Sequence, residues 1–262
     1  MSLTAEERER YARHLVIPEL GEEGQDKLAA GSVLIVGAGG LGSPAAYYLA
    51  AAGVGRLGIV DDDVVELSNL QRQVLHATPD LGRRKVESAA EKLHALNPAV
   101  QLELHDTRFS AATAEELLDG YDVVVTGVDN FPSRFLLNDA CVLLRKTLIE
   151  GAILRFVGLA MTIRGGETAC YRCVFPEMPA PGSSPSPKEA GVFGPVPGAI
   201  GSIQASEAIK VIVGFGEPLF NRLLQYDALA LSFQEVAISR EPSCPVCGQA
   251  PTITSLADAG AA

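Results

Sequence analysis

Four of the five cysteines fall in two pairs, Cys170 with Cys173 in ACYRC and Cys244 with Cys247 in SCPVCGQ. Two CxxC knuckles present four thiolates suited to tetrahedral zinc. Seventy residues separate the pairs, far more than in a compact zinc ribbon, so the metal would clip two distant segments together. Four thiolates leave no open coordination position, which makes such a site structural rather than catalytic. Disulfides compete for the same residues but are disfavoured in a reducing compartment, and a redox CxxC usually begins a helix next to a strand. The fifth, Cys141 in NDACVLL, sits in an apolar helical stretch and reads as a small buried hydrophobe rather than a nucleophile.

A second constellation lies in VLIVGAGGLGSPAAYYLAAAG, residues 33–53, where Gly37, Gly39 and Gly42 keep the GxGxxG spacing and Gly40 adds a further glycine. Between a strand and a helix this spacing permits a tight turn and aims helix N-terminal amides at a phosphate. Asp61 follows Gly42 by nineteen residues, where an acid can accept hydrogen bonds from ribose hydroxyls. That much fits a nicotinamide or flavin enzyme. Arg72, Arg83, Arg84 and Lys85 then change the balance, because a triphosphate brings more charge and recruits Arg, Lys and a divalent ion. VVVTGVDN ends in Asp129 and Asn130, where the carboxyl edge of a sheet meets a ligand, and Asp129 is placed as a Mg2+ carboxylate would be. Arg72 and Lys85 could instead be solvated charges, and Asp129 or Asn130 a helix cap.

The elements that must position these residues alternate. SVLIVG, RLGIVD, VQLELHD, DVVVTG and TLIEGA read as strands, and helices are expected at 44–52, around 83–97, at 112–118 and at 134–144. Strict alternation predicts a Rossmann-like α/β fold, a mostly parallel sheet with helices on both faces. RFVGLAMTIR lacks a crossover helix and reads as a longer antiparallel strand, RLLQYDAL and FQEVAIS read as later strands, and the sheet is expected to continue as antiparallel strands. Thr4 and Glu7 form a capping box for a first helix over 5–15, and a second covers 22–30. Seven of the sixteen prolines lie between Pro176 and Pro197, which predicts an extended loop before a helix at 199–213. The tail after Pro251 is expected to fray.

At 262 residues and 47% hydrophobic content the chain can bury a sizeable core, and a net charge of −11 excludes an extended surface for nucleic acid or anionic lipid. The start, MSLTAEERERYARH, is charged throughout and is no secretory signal, so a cytoplasmic location is expected. Residues 33–55 carry no charge, yet five glycines and prolines among positions 37–44 argue against a membrane span.

Taken in order, these pieces resemble the ubiquitin-activating superfamily, and most closely the bacterial adenylyltransferases of sulfur-carrier proteins, the ThiF, MoeB and HesA type. SNLQRQ after a strand-ending acid is the most specific piece, and the likeness runs from RYARH to CPVCG through EAGVFGPVPG. The resemblance implies one adenylation domain over 1–262: N-terminal helices 1–30, a nucleotide-binding half 31–152, a carrier-binding half 153–251 holding the flexible loop 176–198 and the zinc site, and a tail 252–262. It implies ATP and Mg2+, with Gly39 and Gly42 against the nucleotide, Asp61 on the ribose, Asn69, Arg72 and Lys85 on the phosphates and Asp129 on Mg2+. Gly37, Gly40, Asp63, Ser68 and Asn130 complete the expected site. The implied partner is a small ubiquitin-fold sulfur carrier ending in Gly-Gly, adenylated on its terminal carboxylate for molybdopterin, thiamine or tRNA thiolation. The implied assembly is a homodimer in which Arg13 reaches the neighbouring subunit's ATP. Some relatives carry a loop cysteine where this chain has Pro187, so a separate sulfur donor, a cysteine desulfurase or rhodanese, is expected. The competing functions are an NAD-dependent oxidoreductase and a non-catalytic scaffold for a ubiquitin-like protein.

Overall fold

The computed structural model describes residues 3–180 and 187–261. Eight strands form one sheet in the order β3-β2-β1-β4-β5-β6-β7-β8. The parallel part comprises β1 (Ser32–Val36), β2 (Arg56–Val60), β3 (Gln101–His105) and β4 (Val123–Thr126), closed by β5 (Thr147–Leu154). Every residue of β1 and β4 is buried, as expected of strands covered on both faces. The antiparallel continuation is β6 (Val157–Arg164), β7 (Arg222–Asp227) and β8 (Ser232–Ala237). The strand order reverses at the β1–β4 seam, where open α/β sheets receive ligands.

Helices cover the two faces. The capping box holds: Thr4 Oγ1 accepts from the Glu7 amide at 3.2 Å, and Glu7 Oε2 accepts from the Thr4 amide at 2.8 Å. The first helix is nevertheless two pieces, α1 (Ala5–Arg10) and α2 (Ala12–Leu15). Tyr11 breaks it, being drawn into the core where its hydroxyl accepts from Asn97 Nδ2 at 2.9 Å. α3 (Gly21–Ala30), α4 (Gly42–Ala52) and α5 (Lys85–Leu96) share a core with β1, β2 and β4. α6 (Ala114–Leu118) and α7 (Phe131–Leu143) pack on the other face around Phe135, Leu137 and Leu148.

α8 (Tyr171–Val174) carries the first CxxC pair, and α9 (Pro187–Ala190) precedes the long α10 (Pro195–Val213). The proline-rich segment is therefore shorter as a loop than its composition suggests. Pro195 and Pro197 enter the first turn of α10, where a missing N–H leaves nothing unpaired. The expected mobility of the loop falls partly on residues 181–186, outside the described residues. α10 ties the sheet halves together: Gln204 Nε2 donates to the Thr126 and Ile149 carbonyls at 2.8 and 3.1 Å, and Glu207 Oε2 accepts from Thr162 Oγ1 and the Leu219 amide. The tail does not fray as expected. Ile253 and Ala259 are buried in the α7 core, and α11 (Leu256–Ala261) packs on α7 because these few apolar residues find an uncovered helix face. Among the described residues no helix is long and apolar enough to cross a membrane, and residues 33–55 are instead β1, a turn and α4.

Candidate active site

The glycine turn connects β1 to α4. Gly37 has φ of +102°, and a Cβ there would lie 2.7 Å from the Gly127 carbonyl at the end of β4. A Cβ on Gly42 would lie 1.9 Å from the Gly37 carbonyl oxygen, so both positions are closed to other residues. Gly39 differs: the nearest atom to its would-be Cβ is Gln73 Nε2 at 3.6 Å, so packing does not demand a glycine there. Its bareness leaves room for a group approaching from the cavity, at the positive end of α4.

That cavity, about 320 Å3, sits at the carboxyl ends of β1, β2 and β4. Of the residues expected from sequence, Gly37, Gly39, Gly40, Asp61, Asp63, Arg72, Lys85, Asp129 and Asn130 line it. Asp61 Oδ2 accepts from the Ala38 amide at 2.7 Å and Oδ1 from the Asp63 amide at 2.9 Å, which locks its carboxylate across the turn while each oxygen keeps a lone pair. Burial pushes the Asp61 carboxyl above the usual range, opposed by nearby Lys85 and the two amides. Lys85 is buried, with Nζ 2.8 Å from Asp63 Oδ2 and 4.0 Å from Asp61 Oδ1. Arg72 is half-buried and donates to the Ser68 carbonyl at 3.0 Å. Asp129 stands exposed at the lip, and Asn130 caps α7 by accepting from the Ser133 amide at 2.9 Å.

Gly42, Ser68, Asn69 and Arg13 lie outside this lining. Asn69 is spent on the loop, its Oδ1 accepting from the Glu66 amide at 3.2 Å, which shapes the turn that presents Arg72. Ser68 contributes a carbonyl to Arg72 rather than a side chain to the cavity. Arg13 is exposed on α2, beside His14, whose partner Gln25 bonds the carbonyl of Ala52 at the far end of α4 from the glycine turn. Of the basic cluster after the loop, Arg83 pairs with Asp80 and Glu91 and Arg84 with Asp106, so only Lys85 reaches the cavity.

Sequence reasoning passed over three contributors. Buried His76 bonds the Ala38 carbonyl through Nε2 and Ser88 Oγ through Nδ1, both at 2.9 Å, which fixes the glycine turn from behind. Buried Gln73 lines the cavity beside Gly39. Arg134 forms part of the wall between this cavity and an apolar groove of about 820 Å3 lined by Phe131, Ile153, Phe156, Tyr171 and Leu229 among others. The two share Asp129, Asn130, Arg134 and Ile153. SNLQRQ and DNFPSR held the signal for Gln73 and Arg134; nothing local marked His76.

The four paired cysteines converge as expected. Their sulfurs lie within 4.8 Å of one another, with Cys170 to Cys244 at 3.6 Å, Cys173 to Cys247 at 3.4 Å and Cys170 to Cys173 at 3.8 Å. A zinc ion with bonds of about 2.3 Å to four tetrahedral sulfurs would set them about 3.8 Å apart, so the donor set fits zinc. The Glu241 amide points at Cys173 Sγ from 3.4 Å, an outer-shell donor to a thiolate. Cys141 is fully buried in the α7 core, and burial pushes its thiol up, as befits a hydrophobe.

Fold and site together define a Rossmann-like α/β protein with a polar cavity at its strand-order reversal and a four-cysteine cluster in its antiparallel half. The chain belongs to the ThiF family, whose model matches residues 11–246. It is 50% identical to the sulfur carrier protein adenylyltransferase of Thermus thermophilus, over 98% of this chain and 97% of that one. It is 49% identical to the SAMP-activating enzyme E1 of Haloferax volcanii, over 95% and 92%. The mouse adenylyltransferase and sulfurtransferase MOCS3 is 47% identical over 98% of this chain, which spans 56% of that relative. Among solved structures, Escherichia coli MccB with ATP superposes with a TM-score of 0.80 at 23% identity, covering 94% of this chain and 75% of MccB, a likeness of fold. These relatives bear out an adenylyltransferase that acts on sulfur-carrier proteins, and nothing in them supports a nicotinamide oxidoreductase.

Proposed function

We propose that this chain uses ATP to adenylate the terminal glycine carboxylate of a small ubiquitin-fold sulfur carrier, releasing pyrophosphate. The observation that carries the reading is the meeting of two unlike cavities at one wall: a polar one with Lys85, Arg72 and the bare glycine turn, and a larger groove lined mainly by apolar side chains. A triphosphate fits the first and a flexible Gly-Gly tail the second, so carboxylate and α-phosphate come together near Asp129 and Arg134.

The chemistry asks little of the protein. A glycine carboxylate is ionised at neutral pH and needs no general base. One carboxylate oxygen bonds to the α-phosphorus as the bond to the bridging oxygen breaks, and pyrophosphate leaves with that electron pair. The chain holds the reactants in line and answers the leaving charge with Arg72 and Lys85, while Asp61 fixes the ribose. The exposed Asp129 carboxylate suits Mg2+, which would neutralise phosphate charge. The cysteine cluster would hold zinc as a structural clip, in keeping with a reducing compartment such as the cytoplasm.

Arg13 lies at the wrong end of α4 for its own cavity, so a role at ATP requires a second copy. The exposed apolar residues Val16, Ile17 and Tyr48 nearby support a homodimer. Among the described residues no cysteine lines either cavity, and Pro187 stands where some relatives have one, so sulfur comes from a separate donor such as a cysteine desulfurase or rhodanese. The test is mass spectrometry of a Gly-Gly carrier incubated with enzyme, ATP and Mg2+. An AMP adduct on the terminal glycine is expected; carrier left unmodified in every pairing would contradict the reading.

A further inference from the structure

Arg134 is a buried cation whose bonds point mainly at backbone. Nη1 donates to Glu150 Oε1 and to the Gly151 carbonyl, the latter at 2.7 Å, and Nη2 donates to the Val128 carbonyl at 3.1 Å. A plain structural ion pair would satisfy its carboxylate, yet Glu150 Oε2 is buried with no partner. The guanidinium instead joins the loop leaving β4 to the middle of β5. The Val128 carbonyl belongs to the peptide that leads directly into Asp129.

The other side of the guanidinium faces the CxxC knuckle. Its carbon lies 5.8 Å from the centroid of the Tyr171 ring, between Cys170 and Cys173 in sequence. Tyr171 is itself fixed: its amide donates to Asn138 Oδ1 at 2.8 Å, its ring meets Phe135 edge-on at 5.2 Å, and neighbouring Arg172 binds Asp139 through two nitrogens. Asn138, Asp139 and Phe135 all belong to α7, the helix that Asn130 caps. The knuckle, α7 and the Asp129 loop thus form one packed unit with Arg134 at its centre.

We propose that Arg134 is a positioning residue for adenylation, holding the Val128–Asp129 peptide in register with β5, and that Tyr171 braces it from the cysteine clip. This rests on the role given above to Asp129. A misplacement of the order of 1 Å at a reacting centre costs about 100-fold in rate. Removal of the Val128 bond therefore lowers turnover more than ATP affinity.

The experiment compares Arg134→Gln, Arg134→Lys, Tyr171→Phe, Tyr171→Ala and Asp129→Ala in pyrophosphate exchange, with thermal melting, zinc content and ATP binding by calorimetry for each. Expected are a kcat about 100-fold lower in Arg134→Gln with KM for ATP within about threefold, a higher Mg2+ requirement, partial recovery in Arg134→Lys, and a smaller loss of kcat in Tyr171→Phe than in Tyr171→Ala, with KM for the carrier measured in both because Tyr171 also lines the groove. Arg134→Lys, which keeps the cation but spans fewer carbonyls, carries the same test where Arg134→Gln is unstable. A lower melting temperature with unchanged kcat and Mg2+ dependence would overturn the proposal and leave Arg134 a structural ion pair. Normal exchange in Asp129→Ala would instead remove the reading on which it rests.

Discussion

At the scale of single residues, the charges that sequence spacing suggested sort into two kinds by their partners. Lys85 is buried beside Asp63 and Asp61 in the cavity wall, whereas its neighbours are spent elsewhere, Arg83 on buried Asp80 and exposed Glu91 and Arg84 on exposed Asp106. Arg72→Ala is accordingly expected to lower pyrophosphate exchange by at least about 1000-fold with the melting temperature unchanged, while Arg84→Ala stays within about threefold. Near-normal exchange in folded Arg72→Ala would refute its role. His76 supplies a pH dependence. Burial lowers its pKa, so the folded ring stays neutral where the unfolded one, near pH 6.5, takes up a proton. Stability contributed here is complete above that pH and is lost as pH falls below it. Urea melts between pH 8 and pH 5 should show this decline, and His76→Gln should flatten it.

At the scale of elements, the loop that aims Lys85 is held by Asp80. Its Oδ1 accepts from Arg83 at 2.8 Å and Lys92 at 2.9 Å, and its Oδ2 from the Ala77 amide at 2.8 Å. Burial alone would raise its pKa, but Lys92, Ala77 and Ser88 together bring it down to about 2. The depressed value means stability present above the unfolded pKa near 4 and lost as pH falls through about 2. Asp80→Asn is expected to cost about 2 kcal/mol at pH 7, a difference that vanishes near pH 2; an equal loss at both would contradict this. The alternation of strands and helices was legible in the sequence because β1, β2 and β4 are short buried runs bounded by turns. The antiparallel step from β5 to β6 was legible from its missing crossover, whereas α10 intervenes before β7. The start of α10 was not, since Pro195 and Pro197 look like loop residues until they occupy a first turn. Tyr11 and the docked tail were hidden for a related reason: both answer to distant partners, Asn97 in one case and α7 in the other. The cavity lining was legible wherever a motif carried it, while Asn69 and Ser68 proved to shape the loop and His76 entered only through the tertiary fold.

At the scale of the whole molecule, the cysteine clip joins α8 to the segment before the tail and shares a core with α7. Zinc removal by a strong chelator, or Cys244→Ser, is expected to lower the melting temperature by more than about 10 °C, since metal binding free energy becomes folding free energy. One zinc per chain in elemental analysis goes with that outcome, and a chain that melts identically with and without metal would contradict it. The clip, α7 and the sheet seam converge on the wall between the polar cavity and the apolar groove, which makes the central claim one about two substrates meeting. ATP–pyrophosphate exchange tests it most directly, with zinc-replete protein and, in turn, each small ubiquitin-fold protein ending in Gly-Gly from the same genome. Exchange that appears only when such a carrier is added, and disappears when its terminal glycine is removed, is the predicted result. ATP that binds without exchange in the presence of every carrier would contradict adenylation and leave a scaffold in its place.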